Sequence, residues 1–302
     1  MRSVAFVLLL APAAVGQVPD SWGDPLEAMR AELRAARDEL TSLREWSPPL
    51  RGSLGVDVTT QYLFRGIPQE HRGVIVQPSV ELVFGLNSAT EELPATGLVL
   101  GTWNSLHDGP TGAPPSAWYE SDAYAGLSMA AADWLQLGVR YTAYASPNDR
   151  FGTVQEVAVS AVFADAGLGL PVALRPSLLV AFEVAGQADA ASELGTYAEL
   201  GFDPDLLLGE IDECAVSLLL PVRVGCSLGD YYEQPAGGRD AAFGCLDVGI
   251  GLALSLPFVP AVRDGWLLEL CLHWTTLGRS NEERNGGDGS ELIGIVGIST
   301  TF

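Results

Sequence analysis

The chain has 302 residues, no lysine and a formal net charge of −22 at pH 7, and 48% of its residues are hydrophobic. Nucleic acid is excluded as a partner because an acidic surface repels phosphates, and disorder is excluded because the apolar content is too high. After the N-terminus, no apolar run approaches the ~18 residues of a membrane-spanning helix. Abundant glycine between short apolar blocks indicates many short strands instead.

Residues 1–16 have the pattern of a cleaved signal peptide. Arg2 supplies the positive charge, Val4 to Ala14 is the apolar stretch, and Ala14-Val15-Gly16 is a small-x-small cleavage site. Export implies an oxidising compartment. The cysteines lack CxxC spacing, so we predict no metal site, and no motif calls for a cofactor.

Residues 17–50 are predicted to form a periplasmic helical segment and its linker. Apolar residues in 25–46 alternate spacings of three and four, which is typical of a heptad stripe. The stripe consists of Leu26, Met29, Leu33, Ala36, Leu40 and Leu43. Two interpretations stay open. The helix is either coiled-coil-like and joins copies into a homo-oligomer, or a single amphipathic helix resting on the barrel mouth or inside it.

The periodicity changes to two from Ser53 onwards, which is typical of strands. Leu54, Val56 and Val58 share an apolar face, while Gly55 and Asp57 lie on the other. About twelve such segments follow, each near the ~10 residues that a tilted strand needs to cross a bilayer. They are 53–66, 73–86, 96–107, 118–132, 135–147, 154–164, 171–186, 195–204, 214–229, 241–257, 266–278 and 291–302. We therefore predict an all-β fold over residues 51–302, an antiparallel transmembrane barrel of about 12 strands.

A soluble β-sandwich also has alternating strands, but three features oppose it. The polar faces are rich in Gly and Ser with isolated charges rather than densely charged. Aromatic residues recur near segment ends, as in the interfacial girdles of barrels, at Tyr62, Phe64, Tyr119, Tyr144, Trp266 and Trp274. The last strand ends on Phe302, which resembles the C-terminal signal read by the barrel-insertion machinery. We expect that machinery and outer-membrane lipid as partners.

A family resemblance lies at the start of the predicted barrel. Residues 56–69 read VDVTTQYLFRGIPQ and resemble the opening "dYrFRGisQ" strand of the TorF-like porin family. The likeness extends into the second strand at residues 76–81, VQPSVE, and more loosely along the strand rhythm to the end. The helix at 25–46 is outside the family pattern. The resemblance implies an outer-membrane barrel of porin type and supplies no substrate.

Strand parity assigns a set of charged and amide residues to the inward faces as pore-lining candidates. They are Asp57, Gln61, Arg65, Gln77, Glu81, Glu120, Asp122, Arg140, Glu156, Arg175, Glu183, Glu199, Arg223, Asp247 and Glu269. Acids outnumber arginines, so an open pore would prefer cations as it passes small solutes. In a closed barrel the same charges would pair as an internal lattice. The protein would then be a structural or adhesion-type barrel acting through its helix or outer loops.

We expect no enzymatic activity. The three histidines, His71, His107 and His273, are not accompanied by a GxSxG or comparable nucleophile motif. Cys226 and Cys245 flank one predicted loop symmetrically, so a disulfide between them is one hypothesis. Strand parity opposes it, because it places Cys226 on the lipid face and Cys245 on the inner face, and free thiols are the alternative.

Overall fold

The computed structural model describes residues 50–302 except 91–92, 114–115, 166, 168, 170–171, 236–238, 258 and 260–264. The signal peptide predicted for residues 1–16 and the helix predicted for 25–46 lie outside the described residues. The strands are β1 (Leu50–Thr59), β2 (Tyr62–Phe64), β3 (Ile67–Glu70), β4 (Ile75–Asn87), β5 (Thr96–His107), β6 (Trp118–Ala132), β7 (Leu135–Ala145), β8 (Val154–Phe163), β9 (Ser177–Ala185), β10 (Thr196–Phe202), β11 (Asp205–Ile211), β12 (Cys214–Leu219), β13 (Val222–Gly229), β14 (Phe243–Leu256), β15 (Trp266–Leu277) and β16 (Ser290–Thr301). A short helix, α1 (Arg279–Arg284), and a 3-10 turn, Pro110–Gly112, lie in connections at one end of the sheet.

The large sheet is antiparallel throughout and closes on itself. Hydrogen bonding runs from β1 through β4 and successive neighbours to β10, β13, β14, β15 and β16, and β16 pairs again with β1. The predicted barrel of 12 strands is therefore confirmed. Closure removes the free edges along the ring of strands, which is the condition for a sheet in a bilayer. Among the described strands, β11 keeps one unpaired side, because it pairs with β12 alone.

Two of the barrel strands are long and interrupted by proline. β10 continues into β11 past Pro204, and β12 continues into β13 past Pro221. Proline has no N–H to donate to the ladder, so the strands break at these points and resume beyond them. The backbone carbonyl of Pro204 accepts a 3.0 Å hydrogen bond from Leu220, which places both interruptions at one level. The sequence-based segment ended at residue 204 and missed β11.

The barrel is apolar outside and polar inside. Large apolar side chains of alternating positions are exposed on the outer surface, among them Leu54, Val58, Val80, Leu100, Leu127, Val139, Val159, Leu178, Leu200, Val248, Ile250, Leu252, Leu270, Leu272, Leu292, Val296 and Ile298. Charged and polar side chains of the intervening positions are buried, as at Asp57, Glu120 and Glu156. This pattern is the reverse of a water-soluble protein and fits a lipid-facing exterior.

The first predicted strand does not continue as a straight strand to residue 66. It leaves the wall after Thr59, and residues 62–70 fold back as the hairpin β2–β3, which is a separate two-stranded sheet. Arg65 and Gly66 form its two-residue turn with φ of +52° and +83°, as expected where both central residues need positive φ. Gly66 meets this demand without strain, and Arg65 is held there by the contacts of its side chain.

Two further predictions need correction. Tyr62, Phe64, Tyr119 and Tyr144 do not belong to an interfacial girdle, because Phe64 lies in the hairpin β2–β3 and the three tyrosines are buried within the barrel. The seventh predicted segment, 171–186, begins as a strand only at Ser177. Residues 172–176 of that segment lie outside any strand, and Arg175 there has a positive φ of 48°.

Candidate functional site

The hairpin β2–β3 lies across the lumen, and we call residues 62–70 the plug. Its apolar side chains enter three clusters on three sides of the wall. Tyr62 packs with Ile75, Trp103 and Tyr119 of β4 to β6. Leu63 packs with Cys245, Leu277, Ile293 and Ile295 of β14 to β16. Ile67 packs with a group that includes Ala158, Ala181 and Tyr197 of β8 to β10. The plug therefore spans the lumen from wall to wall.

Arg65 lies at the turn of the plug and forms the ion pair that joins the plug to the wall. Its Nη1 and Nη2 atoms donate to Oε2 and Oε1 of Glu156 on β8 at 2.5 and 2.8 Å. Nη1 also donates to the Tyr231 hydroxyl at 2.8 Å, and the guanidinium carbon lies 4.2 Å from the centre of the Tyr197 ring. The Tyr232 hydroxyl donates to the Arg65 carbonyl at 2.7 Å. A bidentate buried pair of this kind fixes the position of the turn.

The other end of the plug is fixed by Glu70. Its carboxylate accepts hydrogen bonds from the N–H and the hydroxyl of Thr111, both at 2.7 Å, and from the N–H groups of His71 and Arg72. Burial acts to raise the pKa of the Glu70 carboxyl, but these hydrogen bonds outweigh it and hold the pKa below its ordinary value. Glu70 is thus an ionised anchor.

A hydrogen-bonded chain continues from Glu70 into the wall. The His107 Nδ1 atom lies 2.5 Å from the Thr111 hydroxyl, and the His107 Nε2 atom lies 2.7 Å from Ser105 Oγ. Because Thr111 donates its proton to Glu70, His107 donates through Nδ1 and accepts from Ser105 through Nε2. The order Ser–His–Thr–Glu has the polarity of a relay, but Ser105 is fully buried and no substrate can reach its hydroxyl in this structure. The absence of enzymatic activity stays a prediction.

Tyr62 reaches the wall at a pair of acids on β6. Glu120 and Asp122 both face the lumen and are almost fully buried. The Tyr62 ring lies edge-on to the Tyr119 ring of the same strand, with 6.4 Å between the ring centroids. Gln69 on the other plug strand accepts a short hydrogen bond from the Tyr119 hydroxyl. The plug is therefore attached to the β5–β6 wall by polar as well as aromatic contacts.

Below the plug, towards Leu50 and Phe302, charged side chains lie against the wall. The Tyr124 hydroxyl donates to Glu81 at 3.1 Å, and its ring lies beneath the Arg140 guanidinium, 4.9 Å from the ring centre. An added Cβ on Gly101 would lie 2.3 Å from Tyr124 Cζ, so only glycine lets this ring lie flat on β5. The lumen wall here is coated by its own side chains.

Two further groups of the lumen wall pair across neighbouring strands. Arg223 donates to both carboxylate oxygens of Asp203 at 2.6 and 2.7 Å and lies 3.6 Å from Glu199. Asp247 binds His273 at 2.7 Å and the Thr275 hydroxyl at 2.6 Å. These pairs need no contact with the plug.

Most of the sequence-predicted site residues face the lumen in the structure. Those on barrel strands with inward side chains are Asp57, Gln77, Glu81, Glu120, Asp122, Arg140, Glu156, Glu183, Glu199, Arg223, Asp247 and Glu269. Three are placed differently. Arg65 belongs to the plug, Gln61 lies in the link that enters it, and Arg175 lies at the rim, where it pairs with Asp205 at 2.9 Å. Whether any of them lines a conducting path stays a prediction.

The hypothesised disulfide is not formed. Cys226 and Cys245 are both free thiols. Gly225 is the residue opposite Cys245, and a register shift between Gly225 and Cys226 places Cys226 opposite Phe243. Cys245 is buried beneath the plug, while Cys226 follows the outward parity of β13, so the two sulfur atoms lie on opposite faces of the sheet.

Sequence reasoning missed the tyrosines that surround Arg65. Tyr231 and Tyr232 are fully buried, although they lie in the loop predicted between Cys226 and Cys245, and their rings contact each other and Tyr197. The available signal was the Arg65-Gly66 dipeptide followed by Pro68, which is a turn signal inside an apparent strand. The two adjacent tyrosines in an otherwise polar loop were a weaker signal.

No helix within the described ranges is both long and apolar enough to cross a membrane. The same part of the chain contains no group of three or more His, Cys, Asp or Glu side chains suited to a metal ion.

Fold and lumen together define a closed antiparallel barrel of outer-membrane type whose lumen holds a hairpin. Residues 44–205, more than half of the chain, match a family described as "Bacterial protein of unknown function (Gcw_chp)", and the chain belongs to this family. The resemblance to the TorF-like porins stays a prediction. No curated protein matches the sequence.

Several solved barrels share the architecture at low similarity. An outer-membrane channel from Pseudomonas putida F1 has a TM-score of 0.44 and 11% identity, over 86% of this chain and 98% of that chain. The NanC porin has a TM-score of 0.40 and 10% identity, over 82% and 98% of the two chains. LpxR from Salmonella typhimurium has a TM-score of 0.39 and 10% identity, over 82% and 99%. Likenesses of this strength carry no information on function.

Proposed function

We propose that the protein is an outer-membrane channel for passive passage of small solutes, that it prefers cations, and that the plug closes it. The observation that carries this proposal is a closed, polar-lined barrel whose lumen is blocked by a hairpin rather than by its own wall. The hairpin has no backbone ladder to the wall strands and is held by side chains. An isolated two-stranded hairpin is marginally stable, so its position depends on those anchors.

Outer-membrane location is supported by the exterior of the barrel. Every wall strand exposes large apolar side chains on the outer surface. This surface would cause aggregation in water, whereas in a membrane it contacts lipid chains. The last strand also supports it, because the Phe302 backbone pairs with Gly52 and its ring packs over that glycine. We propose that this strand end is what the insertion machinery recognises after export by the predicted signal peptide.

Cation preference is supported by the charge balance of the lumen. Among the described wall strands, inward acids clearly outnumber inward arginines, and two of the buried acids, Glu120 and Asp122, stand two residues apart on β6. A pore lined by excess negative charge attracts cations and repels anions. Displacing the plug would also expose Glu156, the partner of Arg65.

The test replaces residues 62–70 by a Gly-Ser linker of equal length and compares the purified, refolded variant with the unmodified protein in planar bilayers. We expect low conductance from the unmodified protein and open channels from the variant, with a reversal potential in a salt gradient that shows cation preference. A folded variant that conducts nothing would contradict the proposal. Heat-modifiable gel migration establishes that each barrel is folded.

The alternative is a non-conducting structural or adhesion barrel that acts through its N-terminal segment or outer loops. The plug's packing on three sides of the wall favours it, because such packing also suits a permanent filling. The same experiment distinguishes the two functions. A permanent filling predicts that removal of the plug destabilises the barrel without creating a selective pore.

A further inference from the structure

We propose that the barrel wall has a lateral opening between β1 and β16 through which the hydrocarbon chain of a fatty acid enters from the bilayer, and that Leu63 of the plug closes this opening. The inference concerns a second route into the lumen, from the side rather than along the barrel axis. It does not depend on conduction by the lumen.

The opening is a seam where the strand pairing of the wall stops early. The register of β1 against β16 runs only as far as Thr59, and beyond it Thr60 alone bonds to Gly294. The Thr60 N–H donates to the Gly294 carbonyl at 3.1 Å, and the Thr60 hydroxyl accepts from the Gly294 N–H at 3.0 Å. Among the described strands, only β15 pairs with the remaining part of β16, Ser290–Ile293, and β4 begins only at Ile75. Backbone hydrogen bonds therefore do not close this part of the wall.

An apolar depression of about 320 Å³ lies on the lipid-facing surface at the seam. Its lining comes from both sides of the seam and includes Val58, Thr60, Val74, Leu272, Gly294 and Val296. Trp274 lies two residues beyond Leu272 on β15 and is exposed, as expected in an interfacial aromatic girdle. The depression therefore lies on the hydrocarbon side of the interface, where lipid chains surround the barrel.

Behind the seam the lumen is apolar rather than charged. Ile293 and Ile295 of β16 belong to a buried cluster with Leu277 and Cys245, and Leu63 joins this cluster from the plug. Ile295 lines the depression as well as the cluster, so a single layer of backbone separates the two. Leu63 is fully buried. An apolar path thus runs from the bilayer to the lumen, and Leu63 fills its inner end.

The size of the depression and its continuity with the lipid-facing surface favour a single hydrocarbon chain. Its volume is near the lower end of the ~300–1,000 Å³ of ligand pockets, which suits one chain better than the two chains of a phospholipid. A chain that is already dissolved in the bilayer reaches the depression without crossing water.

The charge at the end of the seam favours an acid as the head group. Arg72 is exposed and directly precedes Gly73, which lines the depression. The acid across the seam, Glu291, accepts a hydrogen bond from Asn285 at 2.9 Å and lies 3.8 Å from His71. The chain has only 16 cationic side chains against 38 acids, so an exposed arginine is an uncommon attraction for a carboxylate here.

The test incorporates the refolded protein into vesicles that contain a fatty acid with a photoreactive diazirine on its chain, and maps the labelled residues by mass spectrometry. Lipid that merely surrounds the barrel labels outward side chains such as Val296. Ile293 and Leu277 are buried on the lumen side and report entry through the seam. We expect little label on them in the unmodified protein and several-fold more in Leu63→Ala, which leaves space behind the seam. Replacement of residues 62–70 by a Gly-Ser linker is the second opening variant and should act in the same way. No increase in inner label in either folded variant would overturn the inference.

The matched controls close the seam or leave it unchanged. A Cβ added to Gly294 would meet Thr60 Cγ2 at 3.6 Å and Leu272 Cδ2 at 3.8 Å, which are ordinary contacts, so Gly294→Phe places its ring in the depression without backbone strain. Added to Leu63→Ala, it should remove the inner label. Ala125→Phe, at an exposed position of β6, should keep it. Inner label that persists with Gly294→Phe would mean entry from the ends of the barrel and would overturn the lateral route.

Two further comparisons test the identity of the ligand. Arg72→Gln should lower labelling of the seam by the fatty acid several-fold and leave labelling by the corresponding fatty alcohol unchanged. A phospholipid with the same diazirine should label outward residues only. Equal labelling of Ile293 by the phospholipid and the fatty acid would overturn the assignment of a fatty acid. Because these readouts need no open channel, they stand or fail separately from the channel proposal.

Discussion

The plugged part of the lumen and the part below it are lined by the same strands, yet their buried charges are satisfied differently. Below the plug, Arg223 pairs with Asp203, which directly follows the neighbouring strand β10. At the plug, Glu156 pairs with Arg65, which is 91 residues away in sequence and does not belong to the wall. One region is held by local pairs, and the other depends on a segment that crosses the lumen.

This difference determines what a substitution can reveal. A charge that pairs along the wall can be removed with little effect on the plug, because the strands remain bonded to their neighbours through the ladder. A charge that pairs with the plug changes both stability and access to the lumen. Variants matched between the two regions therefore separate a general loss of stability from movement of the plug.

The largest effect is expected from Arg65→Ala. It leaves Glu156 buried without its cation, which typically costs about 3–5 kcal/mol, and it frees the turn of the plug. Denaturant unfolding in detergent measures the stability, and bilayer recording should show more open channels. Asp203→Ala is the control. Asp203 is 41% exposed and its partner Arg223 keeps the contact with Glu199, so the loss should be about 1 kcal/mol or less. Equal effects on conductance from both variants would erase the distinction between the two regions.

The second-largest effect is expected from Leu63→Ala. Leu63 is fully buried between the plug and the β14–β16 wall, and truncation of such a leucine costs about 2–5 kcal/mol through lost contacts and a cavity. We expect faster thiol labelling of Cys245, which belongs to the same cluster. Leu272→Ala makes the same change on the outer face, where the side chain is 54% exposed, and should leave the labelling rate unchanged. Slow labelling in the Leu63 variant would argue that the plug stays in place without this contact.

Gly66→Ala should have an intermediate effect. The positive φ of 83° alone costs an alanine about 1 kcal/mol, and the added Cβ would lie 2.9 Å from Asn281 Nδ2 in addition to its clash with Cys245. Gly286→Ala isolates the backbone contribution, because Gly286 has a φ of +69° and nothing within 4 Å of its added Cβ. Thermal unfolding should separate the two by about 1–2 kcal/mol. Equal losses would mean that the plug yields to the methyl group without strain.

The smallest effect is expected from a reducing agent. Cys226 and Cys245 are free thiols on opposite faces, so reduction should leave stability unchanged. Mass spectrometry of the non-reduced digest should find no peptide that joins them. A linked peptide would require a register different from the one in which Gly225 lies opposite Cys245.

Strand periodicity predicted much of the wall, and the misses have physical causes. The segments 96–107 and 118–132 match β5 and β6 in both bounds, since each strand is bounded by turn residues and has one apolar face. The first segment failed because Tyr62 and Phe64 continue the alternation of β1 in sequence while their backbone has left the wall. β11 was missed because Pro204 is a local end signal that pairing with β12 overrides.

The sequence by itself determined the alternation of apolar and polar residues, and with it the strands, the closed barrel and the inward direction of most of the site acids. These features follow from a period of two along each strand, which is local information. Tertiary structure alone decided that Arg65 would meet Glu156, that Tyr231 and Tyr232 would enter the lumen, and that the plug would reach three sides of the wall. Each of these contacts joins residues far apart in the chain, and their geometry exists only once the barrel has closed around the hairpin.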